Sequence, residues 1–211
     1  MELIPRNASD LTPKSEVSGE KRASSLKISE IYLDGKVKKA ELIDEDEKSY
    51  EIFMHSLILS NYAEVIKVSN GEANIIGDDI EKAVFSYTSS KGFNKSLIDS
   101  IAPKVADISL SEDDSLKASA HAINEKVRIV SKGRPDEILA RCSYILRDSR
   151  FVKVTRRICR EVNYMLLGML SRCQEVYALA IKDISELSEM LAPDAYVKDM
   201  ALVALIGMGY A

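Results

Sequence analysis

Tryptophan is absent from this chain, and cysteine, histidine and proline are scarce, with three, two and five in 211 residues. The cysteines, Cys142, Cys159 and Cys173, lie in apolar patterns and form no CxxC pair. An odd count with no signal peptide points to reduced thiols and a cytosolic setting. The polar N-terminus has no apolar segment of the kind that directs secretion. No run approaches ~18 consecutive apolar residues, so no segment is expected to span a bilayer. Basic charge is not in excess either. The net charge of −4 argues against general nucleic-acid binding and leaves room only for a local basic patch.

What is present is a chain 46% hydrophobic and 29% charged, enough for one sizeable core, or one core plus a tail. Residues 1–25 are polar and aperiodic and read as a flexible tail; residues 26–211 read as one folded domain. Leu26 to Leu33 has strand character, Asp34-Gly35 is a hairpin signal, and Lys36 to Ile43 is the returning strand. From about 45 to 66 the apolar residues Tyr50, Phe53, Met54, Leu57, Ile58 and Tyr62 recur at helical steps. His55 lies beside that face, and its expected role is structural. After a loop at Asn70-Gly71, Asp78 or Asp79 can cap a helix that ends at Lys91-Gly92. A short helix over 94–101, a strand over 104–110 and a polar turn at Ser111 to Ser115 follow. Then come strands over 117–123 and 126–131, joined by a tight turn at Asn124-Glu125.

The next stretch organises the rest. Ser131-Lys132-Gly133-Arg134-Pro135-Asp136-Glu137 carries the chain from a strand into a helix. Gly133 permits close approach to the backbone. Pro135 suits the first helical position, and Asp136 and Glu137 suit the first turn. Ile138, Leu139, Cys142, Ile145 and Leu146 share a helical face. This arrangement can offer Lys132 to a phosphate or another acidic group. A long helix is expected from about 151 to 172, with Lys153, Arg156, Arg157 and Arg160 making its first half basic. A strand over 175–182, a helix over 184–191 and a buried strand over 200–209 complete the chain. The Gly207-Met208-Gly209 ending has no following helix in this sequence, so it does not fit a dinucleotide fingerprint.

Lys132-Gly133-Arg134-Pro135-Asp136-Glu137-Ile138-Leu139-Ala140-Arg141-Cys142 resembles the Lys-Gly-Ala-Pro-Glu-x-Ile-Leu-x-x-Cys signature of the nucleotide-binding (N) domain of P-type cation-transporting ATPases. Two further stretches, in the same order, resemble that family. Gly77-Asp78-Asp79-Ile80-Glu81-Lys82-Ala83-Val84 is similar to its Gly-Asp/Glu-x-x-Glu-x-Ala-Leu, and Glu175 to Lys182 is similar to its Gly-Leu-Arg-Val-Leu-Ala-Leu-Ala. The resemblance implies an α+β fold, a twisted antiparallel β-sheet with helices packed around it, and ATP as the ligand, with Mg2+ arriving only through the nucleotide. It places Glu81 near the adenine, Lys117 (with Ser119) and Glu81 in the base pocket, and Lys132 with Gly133 at the phosphates. The family's adenine-stacking aromatic falls near Ile108 or Leu110, neither of which has a ring, so Leu110 is the candidate at that position. Stacking of a base on an aromatic is worth roughly 1–3 kcal/mol, so weak binding is expected. The family's phosphate-contacting arginine is replaced by Glu175, which repels a polyphosphate; Arg172 is near enough in sequence to substitute.

The implied partners are the nucleotide and the remaining domains of a membrane pump, not nucleic acid. The family's Asp-Lys-Thr-Gly-Thr phosphorylation motif does not occur in the sequence, so neither autophosphorylation nor ion transport is expected of this chain alone. Two other classes stay open. One is a descendant that no longer binds nucleotide and instead docks an acidic partner through the basic helix. The other is a hydrolase using His121 and Cys142, for which no third orienting group is identifiable.

Overall fold

The structure, a computed structural model, describes residues 25–43, 45–46, 48–67, 73–110, 116–188 and 190–210. Most of the expected tail, the Asn70-Gly71 loop and the Ser111–Ser115 turn lie outside them.

Strand β1 (Leu26–Leu33) turns through Asp34 and Gly35, both with positive φ, into β2 (Lys36–Lys39). Gly35 is needed there because a type I′ hairpin turn holds both central residues at φ > 0. Helix α1 (Lys48–Leu59) is followed by a separate two-stranded hairpin, β3 (Glu64–Lys67) with β4 (Ala73–Ile76). Then come α2 (Asp79–Ser90), α3 (Lys95–Ile101), β5 (Lys104–Ile108), β6 (Leu116–Ile123) and β7 (Lys126–Gly133). Helix α4 (Pro135–Arg141) leads to the hairpin β8 (Cys142–Arg147) and β9 (Arg150–Lys153). Helix α5 (Arg156–Leu170), β10 (Glu175–Ile184), α6 (Pro193–Tyr196) and β11 (Met200–Tyr210) finish the chain.

The main sheet has the order β2-β1-β11-β10-β7-β6-β5, with β8 and β9 added beside the start of β11. Among the described residues its pairings are antiparallel except β8 with β11. Alternation along the central strands sends side chains to two cores. Val130, Leu179, Ile181 and Val203 meet Phe53, Met54 and Leu57 of α1 and Val84 of α2. Their neighbours Ile129, Ala178, Ala180 and Leu202 meet Ile138 of α4 and Val162 and Met169 of α5. Among the described residues, a mostly antiparallel sheet with six α-helices around it is the expected α+β fold.

Several boundaries differ from the periodicity. The returning strand expected to reach Ile43 ends at Lys39, and Ala40–Leu42 form a single 3-10 turn. The helix expected over 45–66 stops at Leu59. Asn61 ends it, its side chain accepting from Ala63 N at 2.9 Å and donating to the Glu81 carbonyl at 3.3 Å. The helix after Pro135 ends at Arg141, and Ile145 and Leu146 lie on a strand, buried in opposite cores. The long helix begins at Arg156, because Asp148 and Ser149, both at positive φ, make a hairpin of the preceding residues. Residues 185–188 are not helical; instead the Tyr196 hydroxyl bonds to the backbone of Ser188.

Candidate functional site: a cleft closed by a buried ion pair

Where β7 ends, α2 begins beside it and β10 runs alongside. Asp78 caps α2, its carboxylate accepting from Glu81 N at 2.8 Å. That fixes the first turn and turns Glu81 inward, where the residue is 3% exposed. Gly77 leaves space for it: a Cβ there would stand 2.9 Å from Glu81 Cβ. On β7, Lys132 lies opposite Leu179 of β10 and Lys117 of β6. It shares the Val130 face and therefore points under α2.

The Lys132 ammonium, in a residue 8% exposed, donates to Glu81 Oε1 as a buried ion pair. Glu81 Oε2 accepts from Tyr62 N at 2.8 Å. Lys132 Nζ also stands 5.3 Å from the centre of the Tyr62 ring, and Lys104 Nζ stands 5.2 Å from it, both within cation–π range. Burial pulls the Lys132 amine below its ordinary pKa, and the Glu81 carboxylate opposes that pull.

Beside this pair opens a cleft of about 240 Å3, lined in part by Glu81, Lys117, Lys132, Gly133, Glu175 and Tyr177. Four of the five sequence candidates therefore converge: Glu81, Lys117, Lys132 and Gly133. Leu110 does not line the cleft; it packs against the second core, as does Ile108 two residues before it. Lys132 is directed inward to a carboxylate, and the exposed cation at the cleft is Arg134, which pairs with Asp136 at 2.9 Å. Arg172 does not substitute for the missing arginine, because its guanidinium forks onto Glu30 with two 2.8 Å bonds. Periodicity left two residues of this region unmarked. Helical spacing puts Tyr62 on the first helix, which ends at Leu59, and Tyr177 has the pattern of any other strand residue.

The structure removes the Cys–His hydrolase. His121 is buried on β6, within 2.9 Å of the Ser119 hydroxyl and 3.2 Å of the Ala102 carbonyl. Cys142 packs against the opposite core, and burial pushes its thiol up to about 12, the reverse of what a nucleophilic cysteine needs. On α5, Arg157 is held by Glu161 at 2.9 Å, while Arg156 and Arg160 are exposed. None of the described helices is long and apolar enough to cross a membrane.

An α+β domain with a charged cleft at a strand-to-helix junction is the class these features define. The family model for the P-type ATPase cytoplasmic domain N matches residues 49–209, and the chain belongs to that family. It is 24% identical to a calcium-transporting ATPase of Listeria monocytogenes over 156 residues, 74% of this chain and 17% of that protein. It is 20% identical to calcium-transporting ATPase 1 of Bacillus cereus over 194 residues, 92% of this chain and 21% of that protein. The chain thus spans about a fifth of the length of these relatives.

Proposed function

We propose that this chain is an ATP-binding module, working as the nucleotide-binding domain of a P-type ATPase, with the base held in the Glu81–Lys132 cleft. The ion pair carries the proposal. Burying two charges is expensive, and well-packed apolar residues often serve stability as well or better. Such a pair at the inner end of a cleft is a functional candidate on physical grounds. The cleft volume of about 240 Å3 is below the ~300–1,000 Å3 of sites that enclose drug-sized ligands. It suits one end of a nucleotide, with the phosphates outside near Lys117 and Arg134. Lys132 then belongs to the base end, not the phosphate end. Cation transport would belong to the longer protein and its other domains. The pairing of Leu26 with Tyr210 sets incoming and outgoing strands side by side, which suits insertion into a longer chain.

Calorimetric titration with Mg-free ATP tests the proposal. Saturable binding with a Kd on the order of 1 mM, about −4 kcal/mol, is expected. Glu175→Arg should tighten it several-fold by exchanging repulsion for attraction at the rim. No saturation at millimolar ATP rejects the reading.

A second reading, a docking module for an acidic partner, has one observation in its favour. Tyr164 and Leu167 are 74% and 67% exposed on α5, beside Arg160. Salt-sensitive capture of an acidic protein, lost on reversing Arg156 and Arg160, would support it over nucleotide binding.

A further inference from the structure

This inference rests on the nucleotide reading of the cleft. Tyr177 lies on β10 with its ring in the cleft lining, and the residue is 8% exposed. Its hydroxyl is buried and has no hydrogen-bond partner among the described residues. Buried polar atoms are nearly always partnered, and an exception calls for a physical reason. Tyr50 Oη and Arg141 Nε share this condition, but neither residue lines the cleft. No hydrogen bond joins the Tyr177 hydroxyl to the carboxylates beside it, Asp78 and Glu81. Asp78 takes Glu81 N, and Glu81 takes Tyr62 N and the Lys132 amine. Burial and these two carboxylates hold the phenol well above its ordinary pKa, so at neutral pH it keeps its proton and is a donor.

We propose that Tyr177 is a specificity-determining residue whose hydroxyl donates to a ring nitrogen of the bound nucleobase. A neutral heterocycle fits better than a phosphate at this hydroxyl, because Glu81 and Asp78 are the charges that act on it and repel an anion there, whereas Lys117 and Arg134 of the same cleft suit the phosphates. A base ring nitrogen accepts a hydrogen bond and carries no charge. The hydroxyl, buried and unpartnered in the free protein, is then satisfied by the ligand once the side chains over it part to admit the base.

The test uses the full chain, calorimetry and Tyr177→Phe, which keeps the ring and removes only the oxygen. The expected result is a loss of ATP affinity of roughly 3–10-fold, with the thermal midpoint of the free protein unchanged or raised. Wild type is also titrated with the 1-deaza, 3-deaza and 7-deaza analogues of ATP, which need no variant. One of the three should bind wild type as weakly as ATP binds Tyr177→Phe, and should lose nothing further on the variant. Inorganic tripolyphosphate should bind both proteins equally. Unchanged ATP affinity in Tyr177→Phe overturns the proposal and leaves the nucleotide reading standing. So does an equal loss for ATP and all three analogues, or a matching loss for tripolyphosphate. No saturable ATP binding by wild type overturns both.

Discussion

On the face of the sheet covered by α1, α2 and α3, the buried residues include Ser56, Asn61, Glu81, Ser119, His121 and Lys132. On the face covered by α4 and α5, the buried polar groups of the described set are fewer: Ser131, placed there by its pairing with Ala118 and Ala180, and the hydroxyls of Tyr32 and Tyr196. The two faces share strands, so the difference does not come from topology. It comes from which alternate residue carries a heteroatom. The second face is a packed apolar layer whose small cavity, about 30 Å3, is lined by residues such as Ile145, Ile158 and Val162. The first face gives up apolar packing around a cleft, and the polar groups there are held by specific hydrogen bonds. Function concentrates where a fold departs from the sequence that would serve stability alone.

The largest effect should come from breaking the ion pair. Lys132→Ala leaves Glu81 buried and unpaired and should cost about 3–5 kcal/mol, read from urea unfolding. The double variant Glu81→Gln/Lys132→Met removes both charges, keeps an acceptor for Tyr62 N, and should recover most of that loss. If Lys132→Ala costs under ~1 kcal/mol, the pair is solvated in solution and the contrast between the faces collapses.

Ile145→Ala on the other face should cost about 2–4 kcal/mol by opening a cavity in a dry layer. No second substitution at a charged site should rescue it. ATP affinity of the folded protein should be unchanged, because Ile145 faces away from the cleft. A change in affinity would mean that the two layers are coupled through β8 and β11, and the comparison would have to be redrawn.

Much of this was legible in the sequence, for reasons that differ by element. The β1–β2 and β6–β7 hairpins were marked by turn chemistry, Asp34-Gly35 and Asn124-Glu125, and α2 by its Asp78 cap. Strand β8 was not legible. Leu139, Cys142, Ile145 and Leu146 satisfy helical spacing as well as a strand buried on both faces, and periodicity cannot separate the two in short apolar runs. The β3–β4 hairpin was hidden for the opposite reason: Val65 and Ile66 are about half exposed, so no buried face betrays it. In the cleft, local motifs brought out Glu81, Lys117, Lys132 and Gly133. That Glu81 and Lys132 bind each other, 51 residues apart, is a tertiary fact with no local sign. The resemblance puts Leu110 near the position of a missing ring, and Leu110, like Ile108 two residues before it, goes to the other core.

The smallest effect concerns pH and separates two histidines of the first face. His55 is exposed on α1, whereas His121 is 3% exposed between Ser119 and the Ala102 carbonyl. Burial lowers the His121 pKa; the Ala102 carbonyl and Asp99 oppose this, while Lys95 and Lys104 add to it. The unfolded chain therefore binds a proton near pH 6.5 that the folded chain still refuses. As pH falls below that value, stability should decline until His121 titrates in the folded state; above it, this contribution is flat. Urea midpoints at pH 7.5 and 5.5 should show the decline in wild type and in His55→Gln, and a shallower one in His121→Gln. An equal decline in all three would assign the acid sensitivity to carboxylates, and His121 would be no more than a packed ring in a polar layer.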